Sequence, residues 1–236
     1  MRQQQPCNKK YLKALTSKWT GSAVSERLID LFWNLYNYFG PQYWWPGQSP
    51  FEIAIGAILT QNTNWQNVEK AIINLKNHGL LTHKAILEIP HSQLAQLIRP
   101  AGYFNIKANR IKSFVEFMEK EFQGNMEKMR HSDIVTARQM LLSVHGIGPE
   151  TADSILLYAL DKPVFVVDAY TARILARHNI IDLENAQYEL IQNLFMENLP
   201  VDTCLFNEYH ALFVRLGKEM CKRKRPKCSP CPLKNL

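Results

Sequence analysis

The stretch LLSVHGIGPETADSILL at residues 141–157 decides the fold of this chain. An apolar helix pattern leads into a turn at Gly146, Ile147 and Gly148, and a second apolar helix pattern follows. The two glycines permit a tight turn with positive φ, and Pro149 suits the first position of the second helix. Backbone N–H groups of such a turn point outward and can bind a phosphate. A glycine turn between helices is also a common linker, so the turn alone leaves both functions open.

Helical patterns cover nearly all of the remaining chain. Apolar residues recur at three- and four-residue spacing in segment 24–38, which predicts a helix. Further helices are predicted at 51–59, 67–75, 83–88, 91–98, 105–121, 132–143, 149–160, 169–178, 184–197 and 205–220. Residues 164–167 are apolar but have no alternating partner strand, so we interpret them as a buried connector. The sequence therefore predicts an all-α fold.

The composition indicates a folded globular protein, because hydrophobic residues make up 46% of the 236 residues. No apolar run approaches the ~18–20 residues of a membrane span, and the N-terminal residues lack the apolar stretch of a secretory signal. We therefore expect a cytoplasmic monomer, associated with the nucleoid in a bacterium. The formal net charge of +7 favours a polyanionic partner, although solubility alone would also explain the charge.

The segment VVDAYTAR at residues 166–173 places Asp168 directly after an apolar run and before a helix pattern that carries Arg173. An aspartate in this position is often only the N-cap of the helix. Together, however, the hairpin, the apolar run, Asp168 and the helix resemble the helix-hairpin-helix-Gly/Pro-Asp superfamily of base-excision DNA glycosylases, in particular its endonuclease III branch. The resemblance extends over about residues 25–236.

The resemblance implies two helical lobes, with double-stranded DNA that carries a damaged base in the cleft between them. One lobe is a helical barrel at 47–162, and the other combines 1–46 with 163–236. The resemblance also implies that Asp168 is the catalytic carboxylate, which stabilises the positive charge of the sugar as the N-glycosidic bond breaks and helps to position or deprotonate the nucleophile. The DNA contacts expected from the two motifs are Gly146, Ile147, Gly148, Thr151 and Arg173.

Glu150 stands two residues after the second glycine of the hairpin, where bifunctional members of the superfamily have a lysine. That lysine attacks the sugar, forms a Schiff base and allows strand cleavage. The departure at Glu150 implies a monofunctional glycosylase that uses water as the nucleophile, with Glu150 at the substrate pocket. Two alternatives stay open: a bifunctional glycosylase and lyase for oxidised pyrimidines, and a helix-hairpin-helix DNA-binding protein without catalysis.

Trp44, Trp45 and Trp65 are candidates for holding a flipped base, because flipped bases stack on aromatic faces. The alternative is that they are ordinary packing tryptophans. The run Trp-Trp-Pro at 44–46, with Leu-Thr-Gln-Asn-Thr at 59–63, resembles the 3-methyladenine glycosylases of the endonuclease III-like branch. This resemblance implies an alkylated purine as the substrate, since a cationic base over indole gains about 1–2 kcal/mol of cation–π attraction.

Other polar residues are expected to contact DNA. Gln61 occupies the position at which the family has a polar residue that fills the gap left by the flipped base, although it could equally cap a helix end. Lys107 lies in a stretch similar to the family's Gly-aromatic turn, where it is mainly architectural and a candidate phosphate contact. A basic run near the C-terminal end supplies further expected contacts at Lys222, Arg223, Lys224 and Arg225.

Three of the five cysteines lie in the last sixteen residues, at Cys221, Cys228 and Cys231. Clustered cysteines in a cytosolic protein indicate metal binding before disulfides. Their spacing resembles the first three ligands of the endonuclease III iron–sulfur loop, which implies a [4Fe-4S] cluster with a structural role. The family's fourth ligand would stand at position 237, directly after Leu236, so the fourth ligand is open and zinc is the alternative metal.

Overall fold

The computed structural model describes residues 8–19, 21–182, 184 and 186–236. Over these residues the chain forms α-helices, short 3-10 segments and one π-helical turn, and it forms no strand. This architecture confirms the prediction of an all-α fold. The described residues contain no helix that is both long enough and apolar enough to cross a membrane.

The helices in chain order are α1 (Lys9–Ser17), α2 (Ala23–Phe39), α3 (Pro50–Leu59), α4 (Trp65–Asn77), α5 (His83–Glu88), α6 (His91–Leu97), α7 (Phe104–Phe122), α8 (Met126–His131), α9 (Ile134–Leu142), α10 (Pro149–Ser154), α11 (Ala169–Arg177), α12 (Tyr188–Asn198) and α13 (Thr203–Glu219). The 3-10 helix spans Arg99–Ala101, and the π-helical turn Ile155–Ala159 continues directly from α10. The chain divides into two compact units, which we call the first unit (Met1–Trp44 with Pro163–Leu236) and the second unit (Trp45–Lys162).

Short polar side chains determine where most helices begin. An N-cap oxygen accepts a hydrogen bond from a backbone N–H of the first turn, and so supplies a partner that the helix itself cannot provide. The structure shows this bond at Asn8, Ser22, Ser49, Asn64, Thr82, Asn125, Asp133, Asp168 and Asp202. Most helix starts therefore follow from the local sequence.

Helix α3 lies at the centre of the second unit. Eight of its ten residues are buried, from Glu52 to Leu59, as its continuous apolar run predicts. It packs against the π-helical turn and against α7. The apolar side of α10 continues into that turn, where Ile155 to Ala159 are all buried. The hairpin is thereby attached to the core of this unit, since removing such a helix from the core would expose several apolar side chains to water.

Lys107 is buried between α3 and the 3-10 helix. Its Nζ donates hydrogen bonds to the carbonyl oxygens of Leu59, at 2.9 Å, and Ala101, at 2.7 Å. The side chain is almost fully enclosed, and burial lowers the pKa of Lys107 to about 8. The architectural role expected for Lys107 agrees with this position. The phosphate contact does not, because the ammonium group faces two carbonyl groups in the interior.

Aromatic residues fill the core of the first unit. The connector at residues 164–167 is extended and buried, and its Phe165 ring stacks on Phe195 with 3.7 Å between ring centroids. Gln192 donates a hydrogen bond to the Phe165 carbonyl oxygen, at 2.7 Å. This bond satisfies a buried backbone carbonyl group that a neighbouring strand would satisfy in a sheet. The Tyr209 ring meets both phenylalanine rings edge to face.

Two helices were missed by the sequence patterns, and one begins later than predicted. Helices α1 and α8 are short, at nine and six residues, and each presents only two buried residues. The helix predicted at 184–197 begins at Tyr188.

Candidate active site and DNA-contact elements

The hairpin joins α9 to α10 in the second unit. Of its two glycines, only Gly146 has a positive φ, of 83°, in the left-handed region that favours glycine. Gly148 has a φ of −96° and serves as the extended N-cap of α10 before Pro149. Ile147 is buried and fixes the turn to the core, whereas Gly148 is exposed. The turn therefore presents its backbone, and not the Ile147 side chain, to the surroundings.

Gln61 and Arg110 hold the hairpin in place. Gln61 Nε2 donates hydrogen bonds to the carbonyl oxygen of Gly146, at 3.0 Å, and to Oγ1 of Thr151, at 2.9 Å. Arg110 donates to Oε1 of Gln61, and its aliphatic carbons lie where a Cβ of residue 146 would be. Both amide hydrogens of Gln61 are thus engaged within the second unit. The gap-filling role of Gln61 stays a prediction, and Arg110 is a cation beside the hairpin that the sequence reasoning missed.

Helices α9 and α10 are also joined by an ion pair beyond the turn. Arg138 Nε and Nη2 donate to the two carboxylate oxygens of Asp153, at 2.8 and 3.1 Å. Asp153 is fully buried, and a two-pronged contact of this kind fixes the angle between two helices as well as stabilising them. Glu150 lies exposed on the first turn of α10. The hairpin is therefore a braced element with Glu150 on its outer side.

A cavity of about 130 Å³ lies in the second unit beside Trp45 and Trp65. The two indole rings meet edge to face, with ring centroids 5.1 Å apart. The Trp45 ring also packs closely on α3 at Gly56, where a Cβ would lie 3.3 Å from the ring. The structure thus brings two of the three candidate tryptophans together. Trp44, the third, belongs to the first unit.

The cavity combines aromatic walls with charged groups. Its lining residues are Trp45, Pro46, Glu52, Gly56, Trp65, Glu69, Ile72, Ile73 and Lys76. Glu52 is buried, and its carboxylate accepts hydrogen bonds from Lys76 Nζ, at 2.7 Å, and from the backbone N–H of Gln48, at 3.1 Å. The lining therefore carries two carboxylates and one ammonium group, which favours a ligand of positive charge.

Asp168 is the N-cap of α11 in the first unit. Its Oδ1 accepts hydrogen bonds from the backbone N–H of Thr171, at 2.7 Å, and from the Thr171 hydroxyl, at 2.9 Å. Its Oδ2 lies 3.6 Å from Nε2 of His210 on α13. Burial alone would raise the pKa of Asp168, but His210 and the bonds from Thr171 lower it, and the net pKa lies below the ordinary value. Asp168 is therefore an ionised carboxylate at neutral pH. Its position as the N-cap of α11 is compatible with a role in the chemistry.

Helix α13 holds the loop that carries Trp44. Glu208 Oε1 accepts a hydrogen bond of 2.6 Å from the backbone N–H of Gln42, and Arg215 donates to the Gln42 side-chain oxygen, at 3.2 Å. The Lys218 ammonium lies 5.8 Å from the Trp44 ring centroid. Burial lowers the pKa of Lys218, and the negative charge of Asp168 raises it in part. The carboxylate of Asp168 and the Trp44 loop are therefore both attached to α13.

Glu208, His210 and Lys218 are site residues that the sequence reasoning missed. For Glu208 and His210 the available signal was a charged or polar residue within the apolar pattern of 205–220, where both are buried in the structure. Lys218 is exposed and had no such signal. Which carboxylate or loop they face could not be read from that pattern. The partners lie 42 or more positions away along the chain.

We expect Glu208→Gln to stabilise the protein at pH 8 but not at pH 5. Burial raises the pKa of Glu208 to about 7 from an ordinary 4.5. The folded state therefore binds a proton that the unfolded state has lost between these values, and wild-type stability falls as pH rises through this window. The glutamine avoids this loss, and the free energy of unfolding at pH 8 should exceed that of wild type by up to about 3 kcal/mol.

Denaturant unfolding at both pH values measures this effect. Glu219→Gln is the matched control on the same helix, because Glu219 is half exposed and pairs with Arg215 at 3.0 Å. We expect the control to change stability by less than about 1 kcal/mol at either pH. Equal stability of Glu208→Gln and wild type at pH 8 would show that Glu208 is not held in a site that opposes its charge.

Two arginines of α11 hold the backbone of the basic segment near the C-terminal end. Arg173 Nε donates to the carbonyl oxygen of Cys221, at 2.9 Å, and Arg177 donates to the carbonyl oxygens of Lys222, at 2.8 Å, and Arg223, at 3.1 Å. The four predicted contacts Lys222, Arg223, Lys224 and Arg225 are all exposed. Arg173 is thus occupied in supporting this segment. Its direct contact with DNA stays a prediction, and so do the contacts of the four exposed cations.

The three cysteines near the C-terminal end do not form a metal site in the described part of the chain, which contains no group of three His, Cys, Asp or Glu side chains arranged to hold a metal ion. Cys221 is buried and its Sγ accepts a hydrogen bond from Arg177, at 3.2 Å, whereas Cys228 is exposed. The three thiols would supply three of the four ligands that an iron–sulfur or zinc centre takes, and one of them is engaged by a guanidinium. The [4Fe-4S] cluster stays a prediction, which iron and acid-labile sulfide analysis would test.

Comparisons with known proteins define the class of this protein. A family model described as HhH-GPD superfamily base excision DNA repair protein matches residues 55–201. A candidate DNA repair glycosylase of Methanocaldococcus jannaschii is 47% identical over 211 residues, which cover 89% of this chain and 94% of that protein. Endonuclease III of Thermotoga maritima is 27% identical over 186 residues, covering 79% of this chain and 81% of that enzyme.

Solved structures give the same class. The H. pylori 3-methyladenine DNA glycosylase bound to 1,N6-ethenoadenine superposes with a TM-score of 0.70 at 30% identity, covering 83% of this chain and 97% of that chain. Endonuclease III in a trapped covalent intermediate with DNA superposes with a TM-score of 0.76 at 20% identity, covering 89% of this chain and 93% of that chain. Because the identity to endonuclease III is 20%, this second likeness shows the fold alone.

The chain therefore belongs to the HhH-GPD superfamily of base excision DNA repair proteins. It is a DNA glycosylase, and DNA is its substrate. The matched residues 55–201 include both the hairpin and Asp168, the two features on which the resemblance rested. This result confirms the predicted class of enzyme.

Proposed function

We propose that this glycosylase is monofunctional and removes an alkylated purine by hydrolysis of the N-glycosidic bond. The observation that carries the proposal is the state of Asp168. One carboxylate oxygen is fixed by two hydrogen bonds from Thr171, and the group is ionised although it is largely buried. A fixed charge in a site with little water stabilises a developing opposite charge far more than a mobile charge in water does.

The proposed reaction follows from this carboxylate. The C1′–N bond of the flipped nucleotide breaks, and the base leaves with the bonding electron pair. The sugar becomes positively charged, and the Asp168 carboxylate stabilises this charge. Water then adds to C1′, and its proton passes to Asp168 and on to solvent, which leaves an abasic site and an intact strand. The pKa of Asp168 is lowered, so the reactive carboxylate form is present at neutral pH.

The absence of a strand-cleavage step is proposed from the residues of the hairpin. Glu150 stands where a lysine would form a Schiff base, and a carboxylate cannot do so. Lys162, the lysine nearest to the hairpin on its C-terminal side, donates a 2.5 Å hydrogen bond to the carbonyl oxygen of Ser132. Its amine is thereby engaged in the second unit, which supports water as the nucleophile.

The alkylated purine is proposed from the cavity beside Trp45 and Trp65. Its volume of about 130 Å³ lies below the ~300–1,000 Å³ typical of sites for drug-sized ligands, so it suits a fragment no larger than a base. The excess of carboxylates over ammonium groups in its lining favours a cationic ring, as N-alkylation of a purine produces. The H. pylori relative supports a purine, since its structure holds 1,N6-ethenoadenine.

A lesion panel tests the proposal. Base release is measured from duplexes that each contain one of 3-methyladenine, 1,N6-ethenoadenine, an oxidised pyrimidine or a mismatch, with strand cleavage scored before and after alkali. We expect release of alkylated purines and cleavage only after alkali. Release of oxidised pyrimidines with spontaneous strand cleavage would instead establish the bifunctional alternative.

One observation favours that second candidate. Lys218 lies close enough to Asp168 for the carboxylate to affect its pKa, and burial lowers that pKa, which makes the amine more nucleophilic. It could form the Schiff base in place of a hairpin lysine. Borohydride trapping on abasic DNA distinguishes the two functions: the monofunctional proposal expects no covalent adduct, whereas an adduct lost in Lys218→Met would identify Lys218 as the nucleophile.

The two hairpin glycines should respond differently to substitution. In Gly146→Ala the new Cβ would overlap the Arg110 side chain and force a left-handed alanine, so stability should fall by about 1–2 kcal/mol and affinity for duplex DNA should fall as well. In Gly148→Ala the Cβ meets open space and φ is permitted. Stability should be retained, but affinity should fall about tenfold if a phosphate approaches this backbone.

Thermal melts and DNA titrations at one fixed salt concentration measure the two effects separately, because affinity for DNA depends strongly on salt. Normal DNA affinity in Gly148→Ala would show that no phosphate packs against the exposed side of the turn.

A further inference from the structure

His210 lies buried beside the proposed catalytic carboxylate. It stands within α13, where Leu205, Tyr209 and Leu212 form the apolar core. Its side chain is 7% exposed, and its Nε2 lies 3.6 Å from Oδ2 of Asp168. An ionisable ring buried among apolar side chains carries a desolvation cost, so a polar partner has to offset it. The Asp168 carboxylate, 3.6 Å from Nε2, is a charged group that can offset part of this cost.

The two oxygens of Asp168 are held by different elements. Thr171, on the same helix as the cap, fixes Oδ1 through two hydrogen bonds. These bonds come from the helix that Asp168 itself caps. A second helix, α13, places Nε2 of His210 3.6 Å from Oδ2 and so limits movement of the whole carboxylate side chain. The two residues together define where Oδ2 points, which matters because a small misplacement of a reacting group lowers a rate strongly.

We propose that His210 is a positioning residue that holds Oδ2 of Asp168 in the orientation needed for base release. The inference rests on the proposed catalytic role of Asp168. His210 makes no bond with the sugar or the base in this account. It acts through Asp168 alone, by orienting the carboxylate and by favouring its charged form.

Other ionisable groups also face Asp168, and the test has to separate them from His210. Tyr170, on α11, has its pKa raised by burial and by the charge of Asp168. Lys218, on α13, interacts with the same charge, and Arg173 lies over the Tyr170 ring at 4.9 Å. All three remain in place when only His210 is replaced. Any change in the acid limb of the pH profile is then assigned to His210.

The sign of that change follows from the carboxylate. His210 lowers the pKa of Asp168, in opposition to burial. Activity requires the ionised carboxylate and is lost as pH falls through its pKa. Without His210 that pKa rises, so the acid limb of the rate profile moves to higher pH. Packing defects alone would lower the rate equally at all pH values and would leave the limb in place.

The experiment compares three variants in single-turnover base release over a range of pH. His210→Leu removes the polar contact. His210→Gln keeps an N–H donor near the position of Nε2 but cannot become charged. Phe213→Leu is the matched control, because Phe213 is buried on the same helix and contacts Tyr209 and Phe195 and not Asp168. Thermal melts and the affinity for a duplex that contains a tetrahydrofuran abasic analogue are measured in parallel.

We expect His210→Leu to lower the single-turnover rate at neutral pH by about 10- to 100-fold, as the loss of a contact to a charged group does. Its acid limb should move to higher pH, while affinity for the abasic duplex changes by less than about twofold. His210→Gln should recover part of the rate. Phe213→Leu should lower the melting temperature and leave the acid limb at its wild-type position.

An unchanged acid limb in folded His210→Leu, or a shift of the same size in Phe213→Leu, overturns the inference. If His210→Leu does not fold, the acid limb of His210→Gln decides: the amide carries no charge that could lower the pKa of Asp168, so a limb at the wild-type position would overturn the inference. Asp168→Asn separates this failure from that of the proposed function. If Asp168→Asn releases the base at the full rate, the proposed function itself is wrong. If Asp168→Asn is inactive and both His210 variants behave like wild type, only the positioning role is rejected.

Discussion

Asp168→Asn should fold, bind damaged duplex DNA and release the base at least about 1,000-fold more slowly than the wild-type protein. The substitution separates the two roles of this residue. Asparagine caps helices as well as aspartate does, so its side-chain oxygen still accepts the bonds from Thr171 and α11 still begins at the same position. The negative charge is lost, and with it the stabilisation of the positively charged sugar.

Single-turnover base release from an alkylated duplex, together with a titration of the same DNA, measures both parts of this expectation. Asp133→Asn is the matched control, because Asp133 caps α9 by accepting a hydrogen bond of 2.9 Å from the backbone N–H of Thr136. It should release the base at the wild-type rate. Wild-type activity of Asp168→Asn would show that Asp168 is only a helix cap.

Lys107→Met should lower the free energy of unfolding by about 2–4 kcal/mol. Methionine fills most of the space, but the carbonyl groups of Leu59 and Ala101 lose their donor in a region that water does not reach. A loss of this size lowers the melting temperature of a chain of this length by about 5–15 °C. The same helix offers a control: Lys112 also donates to two carbonyl oxygens, those of Leu87 and Ile89, but it is only half buried.

Water can replace the donor in Lys112→Met, so this control should lose no more than about 1 kcal/mol. The pH dependence gives a second check on Lys107. Its pKa is about 8 in the folded protein and near 10.5 when unfolded. Above pH 8 the unfolded state keeps a proton that the folded state has lost, so wild-type stability gains as pH rises towards 10.5. The deficit of Lys107→Met should widen over that range, and a deficit that stays constant with pH would contradict the buried ammonium.

Helix positions and the hairpin could be predicted from the sequence because their causes are local. Capping residues, apolar periodicity and a positive-φ glycine act within a few positions, and Ser49, Asp133 and Gly146 each behave as those rules predict. Asp168 could be identified for the same reason, because the adjacent residues 166–173 indicate both a helix N-cap and the resemblance to the glycosylase superfamily. The short helix α8 was not predicted, because it has only six residues and two of them are buried.

The surroundings of these residues could not be predicted because they depend on tertiary packing. Nothing in the neighbourhood of Lys107 indicates that its ammonium would face two interior carbonyl groups and not a phosphate. Gln61 is predicted either to fill the gap left by a flipped base or to cap a helix end, and neither prediction includes its bond to a turn 85 positions away. His210 and Glu208 had no motif at all, and only the packing of α11 and α13 showed which group each of them faces.

The bonds from Arg173 and Arg177 to the segment at 221–223 have a mechanical consequence. They attach the backbone of this segment, which carries exposed cations, to α11, the helix whose N-cap is Asp168. The predicted DNA contacts of this segment and the orientation of the Asp168 carboxylate therefore depend on the same helix. A phosphate bound at these cations would also restrict the movement of the proposed catalytic carboxylate before the reaction, and binding energy at a distance would contribute to the rate.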